Sequence, residues 1–505
     1  MQEPLPLSNP YHVDRLLNRY LRHKLPTPLF KSIDADLARF GSRIVDEIEE
    51  LGREAEALEP VLELEKNWVH VSPAWSKLNA IAAEEKLIKI GYERRYHRFS
   101  RIYQFAKLYL FHPSSAYYSC PLAMTDGAAK LIEEHGDLQL RNEAFRHLTS
   151  DDRREFWTSG QWMTERTGGS DLTGTETEAK EDANGWKVYG PKHFTSAITA
   201  PMAMLLAKTR SGKLSLFYAK VREDVDGSWR HLKIIKLKDK LGTRALPTAE
   251  IELQGLPVAL VGKEGEGVKT IATLFNISRI HNAFAAVSTS ARVLQLWHSF
   301  ARRRVAFGKP IIEHALHQQL YRKMLRLHTD QFLLAFFVAE LLGASECEPN
   351  DEEEKLLRLL TPIVKLQTAK QNLTIVSEAL EGFGGAGYME DLGIAKFLRD
   401  SQTLSIWEGT TNVLSLDALR AIHKENVLPV YFEWVERCLA ASGRCPFPAA
   451  SASRQERDAE KARALFKSLQ ALPKTEEHAR RVGDHIARLT ALCLRLYNPE
   501  SSSPL

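Results

Sequence analysis

The chain has 505 residues, 44% of them hydrophobic and 26% charged, with a formal net charge of +4. That length buries a large core easily and calls for more than one packed unit, in the composition range of an ordinary soluble globular protein. So small a charge argues against a dedicated nucleic-acid binder, although a local basic face can hide within it.

From the N-terminus the pattern is helical. Leu37, Phe40, Ile44, Ile48 and Leu51 recur at steps of three and four, which lines one face of a helix. Stretches 75–90 and 99–110 continue in the same style. At about Gly160 the character changes. Asn184-Gly185 followed by Trp186-Lys187-Val188-Tyr189-Gly190 is a hairpin signal. Segments 203–207, 214–221, 234–238 and 249–253 suit short strands and predict a β-barrel or sandwich between helical blocks. Helical spacing returns with Ile277, Ile280, Phe284, Val287, Ala291 and Leu294. Long helices are expected over 320–343 and 353–380, and a further one over 410–423 completes a four-helix bundle. The apolar stretch 332–344 is interrupted by Glu340 and too short to span a bilayer, so it reads as a buried helix and no membrane span is expected. Pro446 to Ser453 reads as a linker. Residues 454–497 are again helical, with Leu465, Phe466, Leu469, Val482, Ile486 and Leu489.

The expected fold is α+β and mostly α. Its parts are an N-terminal helical domain (1–159), a middle β-domain (160–270), a C-terminal helical bundle (271–425) and a helical extension (426–505). The five cysteines, Cys120, Cys347, Cys438, Cys445 and Cys493, are odd in number and lack C-x-x-C spacing. Neither a disulfide scaffold nor a metal centre is expected, and a reducing compartment is. A cytoplasmic location is expected, with mitochondrial import the less favoured alternative: no secretory pattern is visible, and Arg15, Arg19 and Arg22 are mixed with Glu3 and Asp14. The final Ser-Pro-Leu is only faintly like a peroxisomal tripeptide.

Two stretches carry chemistry. Ser405-Ile406-Trp407-Glu408-Gly409-Thr410-Thr411-Asn412 sets one carboxylate beside a large ring and a flexible glycine. Met163-Thr164-Glu165-Arg166-Thr167-Gly168-Gly169-Ser170-Asp171 is a hydroxyl-rich loop of small residues suited to a polar cofactor. Alone, the acid would be a surface acid, and Gly382-Phe383-Gly384-Gly385-Ala386-Gly387 a helix cap and turn. The same glycines permit a pyrophosphate to approach backbone amides. Together the three stretches read as a flavin site with a poised base. No H-E-x-x-H, G-x-S-x-G or G-x-x-x-x-G-K-[ST] signature is present to support a metal, hydrolase or phosphate-loop reading.

At these motifs, over roughly residues 60–425, the chain resembles the acyl-CoA dehydrogenase family, and within it the AidB-like branch. The branch resemblance rests on the 163–171 loop, on Lys238-Asp239-Lys240-Leu241-Gly242, on Trp407-Glu408-Gly409, on the opening Leu5-Pro6-Leu7-Ser8-Asn9 and on the helical tail. It implies FAD, bound between the β-domain and the bundle, and α,β-desaturation of acyl-CoA thioesters. Glu408 would remove the α-proton while hydride leaves the β-carbon for flavin N5. The thioester carbonyl would be polarised by a ribityl hydroxyl and the Glu408 backbone N–H, and burial beside Trp407 would strengthen the base once substrate excludes water.

The resemblance also implies residue roles. Met163, Thr164, Gly169 and Ser170 would contact the cofactor, Thr164 at the pyrimidine edge of the flavin. Phe194 would stand beside the ring in place of the usual Trp, with Thr195 and Ser196 where a hydroxyl meets N5. Arg304, Phe307, Glu381, Gly384 and Gly385 would reach the cofactor of a neighbouring subunit, and Thr410 and Asn412 the adenine side. Ser170 would lie near the phosphopantetheine, and Arg279, Trp407 and Gly409 at the acyl-CoA. Some family members carry their base at the position of Arg279, which leaves Glu408 as the candidate here. A homotetramer built as a dimer of dimers and a flavoprotein electron acceptor are implied as well. Ala315 and Glu381 stand where the family has glutamine, and these departures, with Phe194, leave acyl preference and turnover open.

A second reading is an AidB-like flavoprotein with weak dehydrogenation that acts mainly by binding acyl-CoA or nucleic acid. From Asn426 onward the tail holds 12 Lys+Arg against 9 Asp+Glu, and Arg480, Arg481, Arg488 and Arg495 are candidates for a basic stripe. Such a run is ordinarily a solvated face, so nucleic acid is not favoured. An oxidase is the third reading, disfavoured because the glycine segment lacks the Cys and His usual there.

Overall fold

The computed structural model describes residues 7–222, 229, 231–441 and 449–497. Leu5, Pro6, Cys445, Pro446 and the final Ser-Pro-Leu lie outside them. The chain forms two compact units. A barrel unit comprises Asp46–Glu93 and Ser114–His281, and a bundle unit Met1–Val45, Arg94–Pro113 and Asn282–Leu505.

In the barrel unit seven strands form one sheet: β1 (Ser159–Trp162), β2 (Glu178–Asp182), β3 (Gly185–Ser196), β4 (Met202–Lys208), β5 (Leu214–Lys220), β6 (Leu232–Leu237) and β7 (Thr248–Val261). The order β1-β4-β2-β3-β7-β5 returns on itself because β4 also pairs with β5, which closes a barrel, and β6 adds to β7. The β2–β3 hairpin turns at Asn184-Gly185 as the sequence predicts, with Asp182 opposite Gly185. The Asp182 carboxylate accepts the Asn184 N–H at 2.7 Å, and Gly185 takes φ +99°. β4 shows why its segment is apolar throughout. Ala203, Leu205 and Ala207 enter the barrel core with Trp162, Phe217 and Ile251. Met202, Met204 and Leu206 point the other way, onto Leu131, Ile132, Ile271 and Leu274. A strand covered on both faces has no polar side to display.

Two sequence expectations change in detail. The apolar row from Leu37 to Leu51 is buried at every position. It is not one regular helix, because Thr27–Arg43 passes through a π-type turn at Ile44–Ile48 into Glu49–Ala57. The wider turn tolerates the two consecutive steps of four. The predicted 75–90 helix ends at Glu84, and Lys86 turns the chain with φ +54° before a short second helix, Lys89–Glu93.

The later helices are α1 (Gly267–Arg303), α2 (Ala315–Cys347), α3 (Asp351–Gly382), α4 (Ala395–Leu404), α5 (Thr411–Lys424), α6 (Val427–Ala441), α7 (Ala449–Ala471) and α8 (Ala479–Tyr497). Within the bundle unit, Trp297 and Phe300 of α1, Met324 of α2, Ile375 and Val376 of α3 and Phe397 of α4 share one core. α2 is long and apolar enough to cross a membrane by length and composition, but Phe332, Phe336 and Val338 are fully buried, as in a core helix.

The extension is part of the bundle unit, its helix α8 lying against α2, α3 and α5. Val482, Ile486 and Leu489 of α8 are fully buried, each burial contributing about 1.5–3 kcal/mol. The Tyr431 hydroxyl donates to the Ile486 carbonyl at 3.1 Å. The predicted linker is helical from Ala449 on. Of the four arginines of the expected basic stripe, Arg495 is turned inward onto Asp330 and Asp458, while Arg480, Arg481 and Arg488 are exposed, Arg488 beside Asp484 and Arg480 donating to Asn412.

Candidate functional site

Glu408 sits in the turn between α4 and α5, half-buried, with φ +55°. The left-handed region costs a residue with a Cβ about 1–2 kcal/mol, and strain of this kind gathers at functional positions. Gly409 follows at φ +100°, a conformation open to glycine, so the backbone calls for the glycine but not for the glutamate before it. The turn is held from two sides. The Trp407 indole N–H donates to Asn282 Oδ1, and Asn282 Nδ2 donates to the Leu404 carbonyl at 3.2 Å. Lys365 Nζ donates to the Gly409 carbonyl at 2.6 Å. Asn282 and Lys365 are both buried. Thr410 occupies the N-cap of α5 without a side-chain cap bond. The Asn412 side-chain carbonyl, expected to face adenine, accepts from Arg480 Nε at 2.5 Å, so a residue of the extension stands at that position.

The glycine segment closes α3 and borders a cavity of about 670 Å³. Arg304, Glu381, Gly384 and Gly385 line it together with Phe300 and Ile311. Gly384 adopts φ +62°, ψ −146°, a region essentially reserved for glycine. Four of the residues assigned by resemblance to a neighbour's cofactor are thus brought to one cavity. The fifth, Phe307, stands on a tight hairpin and is 98% exposed.

In the barrel unit the 163–177 loop is organised by a buried ion pair that sequence reasoning missed. Lys192 Nζ lies 2.6 Å from Glu165 Oε1 and 2.8 Å from the Leu206 carbonyl. The Glu165 carboxylate also accepts the Glu176 N–H at 2.5 Å and the Thr177 hydroxyl at 2.6 Å. Burial by itself pushes this carboxyl up, but Lys192 and the Thr177 and Glu176 donors outweigh it and hold the group below its ordinary value. Met163 is buried in the core. Thr164 is half-buried, and Gly169 and Ser170 are exposed. The Thr164 carbonyl accepts from His193 N–H, which ties the loop to β3.

Along β3, Phe194 is 51% exposed, with Lys238 Nζ 4.5 Å from its ring centroid. Thr195 is not available as the expected hydroxyl donor. It is fully buried and spends its hydroxyl on the Ala249 carbonyl at 2.7 Å, because a register shift between Lys192 and Thr195 breaks the alternation and turns it inward. Ser196 is the half-buried hydroxyl of that pair, 3.1 Å from Thr248 Oγ1. Arg279 is half-buried on α1, in a stretch anchored by His281 Nε2 2.7 Å from Asp126 Oδ2.

Beside Phe194, Glu250 receives Lys238 at 2.6 Å, Arg166 at 2.9 Å and Lys236 at 3.2 Å, and these hold its carboxyl down at about 2. A depressed carboxyl stabilises the fold above the ordinary value of 4.5, and that stabilisation is lost as pH falls toward about 2. Glu250→Gln is therefore expected to flatten the loss of stability between pH 4.5 and 2. Urea midpoints across that range check it, and equal slopes would contradict the assignment.

The geometry fits the comparisons with known proteins. Residues 265–423 match the acyl-CoA dehydrogenase C-terminal domain, 160–256 its middle domain, and 1–152 the adaptive response protein AidB N-terminal domain. Acyl-CoA dehydrogenase family member 11 of Caenorhabditis elegans is 43% identical over 86% of this chain and 74% of its own length. The chain belongs to the acyl-CoA dehydrogenase family. Within this family of flavoprotein oxidoreductases its branch is AidB-like: the putative acyl-CoA dehydrogenase AidB of Escherichia coli is 29% identical over 71% of this chain and 67% of its own. The crystal structure of Caenorhabditis elegans ACDH-11 in complex with C11-CoA superposes with a TM-score of 0.93 at 39% identity, covering 99% of this chain and 89% of that one. An acyl-CoA dehydrogenase fold, helical, β and helical in chain order, is thereby shown.

Proposed function

We propose that this acyl-CoA dehydrogenase desaturates an acyl thioester between its α- and β-carbons, with FAD as cofactor and Glu408 as the base. The observation that carries the reading is the Glu408 turn: a half-buried carboxylate kept in a costly backbone conformation by buried partners. Bound FAD would supply the acceptor for the hydride that leaves the β-carbon. The donor set fits such a group. In the barrel unit Thr164 and Ser196 offer hydroxyls and Phe194 an exposed ring face; in the bundle unit Arg304 would serve the phosphates of a neighbouring copy's cofactor.

In this reading Glu408 takes the α-proton onto its carboxylate while its backbone N–H donates to the thioester oxygen. Arg279, Ser170, Trp407 and Gly409 position the acyl-CoA, an assignment supported by the C11-CoA ligand of the C. elegans relative. The 98% exposed Phe307 packs on a second copy of the chain, within a homotetramer. Electrons pass to a flavoprotein acceptor in the cytoplasm. Anaerobic titration of the FAD-loaded protein with saturated acyl-CoAs of increasing length is expected to bleach the oxidised flavin absorbance. Absence of bleaching at every length, with FAD retained, would remove the reading.

A further inference from the structure

The turn that presents Glu408 is gripped by two buried polar side chains from two different helices. Asn282 of α1 is 5% exposed and Lys365 of α3 is 1% exposed. An indole N–H can only donate and a carbonyl can only accept, so the Asn282 amide has one orientation. Its oxygen faces Trp407 and its nitrogen faces Leu404. Lys365 fixes the peptide that follows Gly409. Residues 404 and 407 are therefore held on one side of Glu408 and residue 409 on the other. Its backbone has little room to relax into the right-handed region, where the carboxylate would swing away from its present direction.

We infer that Asn282 and Lys365 are positioning residues for Glu408, which set the direction of the carboxylate and so the rate of α-proton removal. They act through the turn and need not touch substrate. The inference rests on the reading of Glu408 as the base. Each of the two has uncommon chemistry for its place, an amide and an ammonium inside helix faces that otherwise bury Phe284, Val287, Val364 and Ile363. A buried lysine is costly to keep, and here its Nζ lies against a backbone carbonyl of the turn itself.

The test isolates proton removal from oxidation. A 3-thia acyl-CoA has sulfur at the β-position and no hydride to give. Glu408 takes an α-proton, the enolate is reprotonated from solvent, and in D2O each cycle replaces hydrogen by deuterium. Exchange into this thioester, bound to the FAD-loaded protein, is followed by NMR for the parent, Glu408→Gln, Asn282→Ala, Asn282→Asp and Lys365→Met. The parent is expected to exchange and Glu408→Gln not to. Asn282→Ala and Lys365→Met are expected to slow exchange ~10- to 100-fold, since small misplacements of a reacting group cost that much. Thioester affinity should stay within ~3-fold of the parent, because these residues are assigned no ligand contact. Asn282→Asp keeps the acceptor for Trp407 and should recover part of the rate, and being nearly isosteric it also covers the case in which the alanine variant folds poorly. Parent-like exchange in the variants, or a loss of exchange matched by an equal loss of ligand binding, overturns the inference and leaves Glu408 as the base. A parent that shows no exchange overturns both.

Discussion

Glu408→Gln is expected to keep FAD and acyl-CoA while reduction of the bound flavin slows by ~10²-fold or more, the usual contribution of a positioned general base. The glutamine amide matches the carboxyl in shape, so Trp407, Gly409 and the turn are undisturbed. What it lacks is a basic oxygen for the α-proton. The comparison variant is Glu408→Gly. Residue 408 has φ +55°, where glycine sits without a Cβ penalty, so this variant should be no less stable than the parent and equally unable to reduce flavin. Stability held while reduction is lost is the mark of strain kept for chemistry. Anaerobic stopped-flow absorbance gives the reduction rate, the flavin-to-protein absorbance ratio gives retention, and thermal unfolding gives stability. Equal reduction in the parent and Glu408→Gln would dismiss the base assignment.

Much of this was legible in the chain because it is written locally. Leu37 to Leu51 announce a buried face by spacing alone, and Asn184-Gly185 announces a turn by backbone freedom. Glu408 was visible because a Trp and a Gly flank it. Partnerships across long sequence separations were not visible. Asn282 and Trp407 are 125 residues apart, Lys365 and Gly409 are 44, and each polar member reads in sequence as an interruption of an apolar face. The same blindness counted Arg495 into a basic stripe, since nothing near it in sequence shows that Asp330 will take it. Thr195 and Ser196 were equivalent in sequence, and only the direction of β3 separates them. β1 has four residues, too few for periodicity to declare, and its place comes from parallel pairing with β4.

Lys192→Met is expected to destabilise the barrel unit by about 3–5 kcal/mol, the usual cost of removing one partner of a buried ion pair. Lys192 and Glu165 are both fully buried at their side-chain tips, 0% and 1% exposed. Methionine fills the space of the lysine stem, so the penalty comes from the orphaned carboxylate and the Leu206 carbonyl, not from a cavity. The loop follows: Glu165 holds the Glu176 and Thr177 amides, and without a fixed carboxylate those amides should exchange faster with solvent. Two further results separate charge from packing. Adding Glu165→Gln to Lys192→Met removes the unpaired charge and should recover most of the stability, although each change alone damages the protein. Acidification should also narrow the deficit of the single variant. Without Lys192, burial raises the carboxyl above its ordinary 4.5, the neutral form becomes accessible as pH falls, and the buried charge disappears. The parent has no such gain, because its carboxyl is held below the ordinary value. Urea midpoints at pH 7 and pH 5 with hydrogen exchange at residues 176 and 177 read both effects. A double variant no more stable than Lys192→Met, or a deficit that widens in acid, would show that the pair does not organise the loop through its charge.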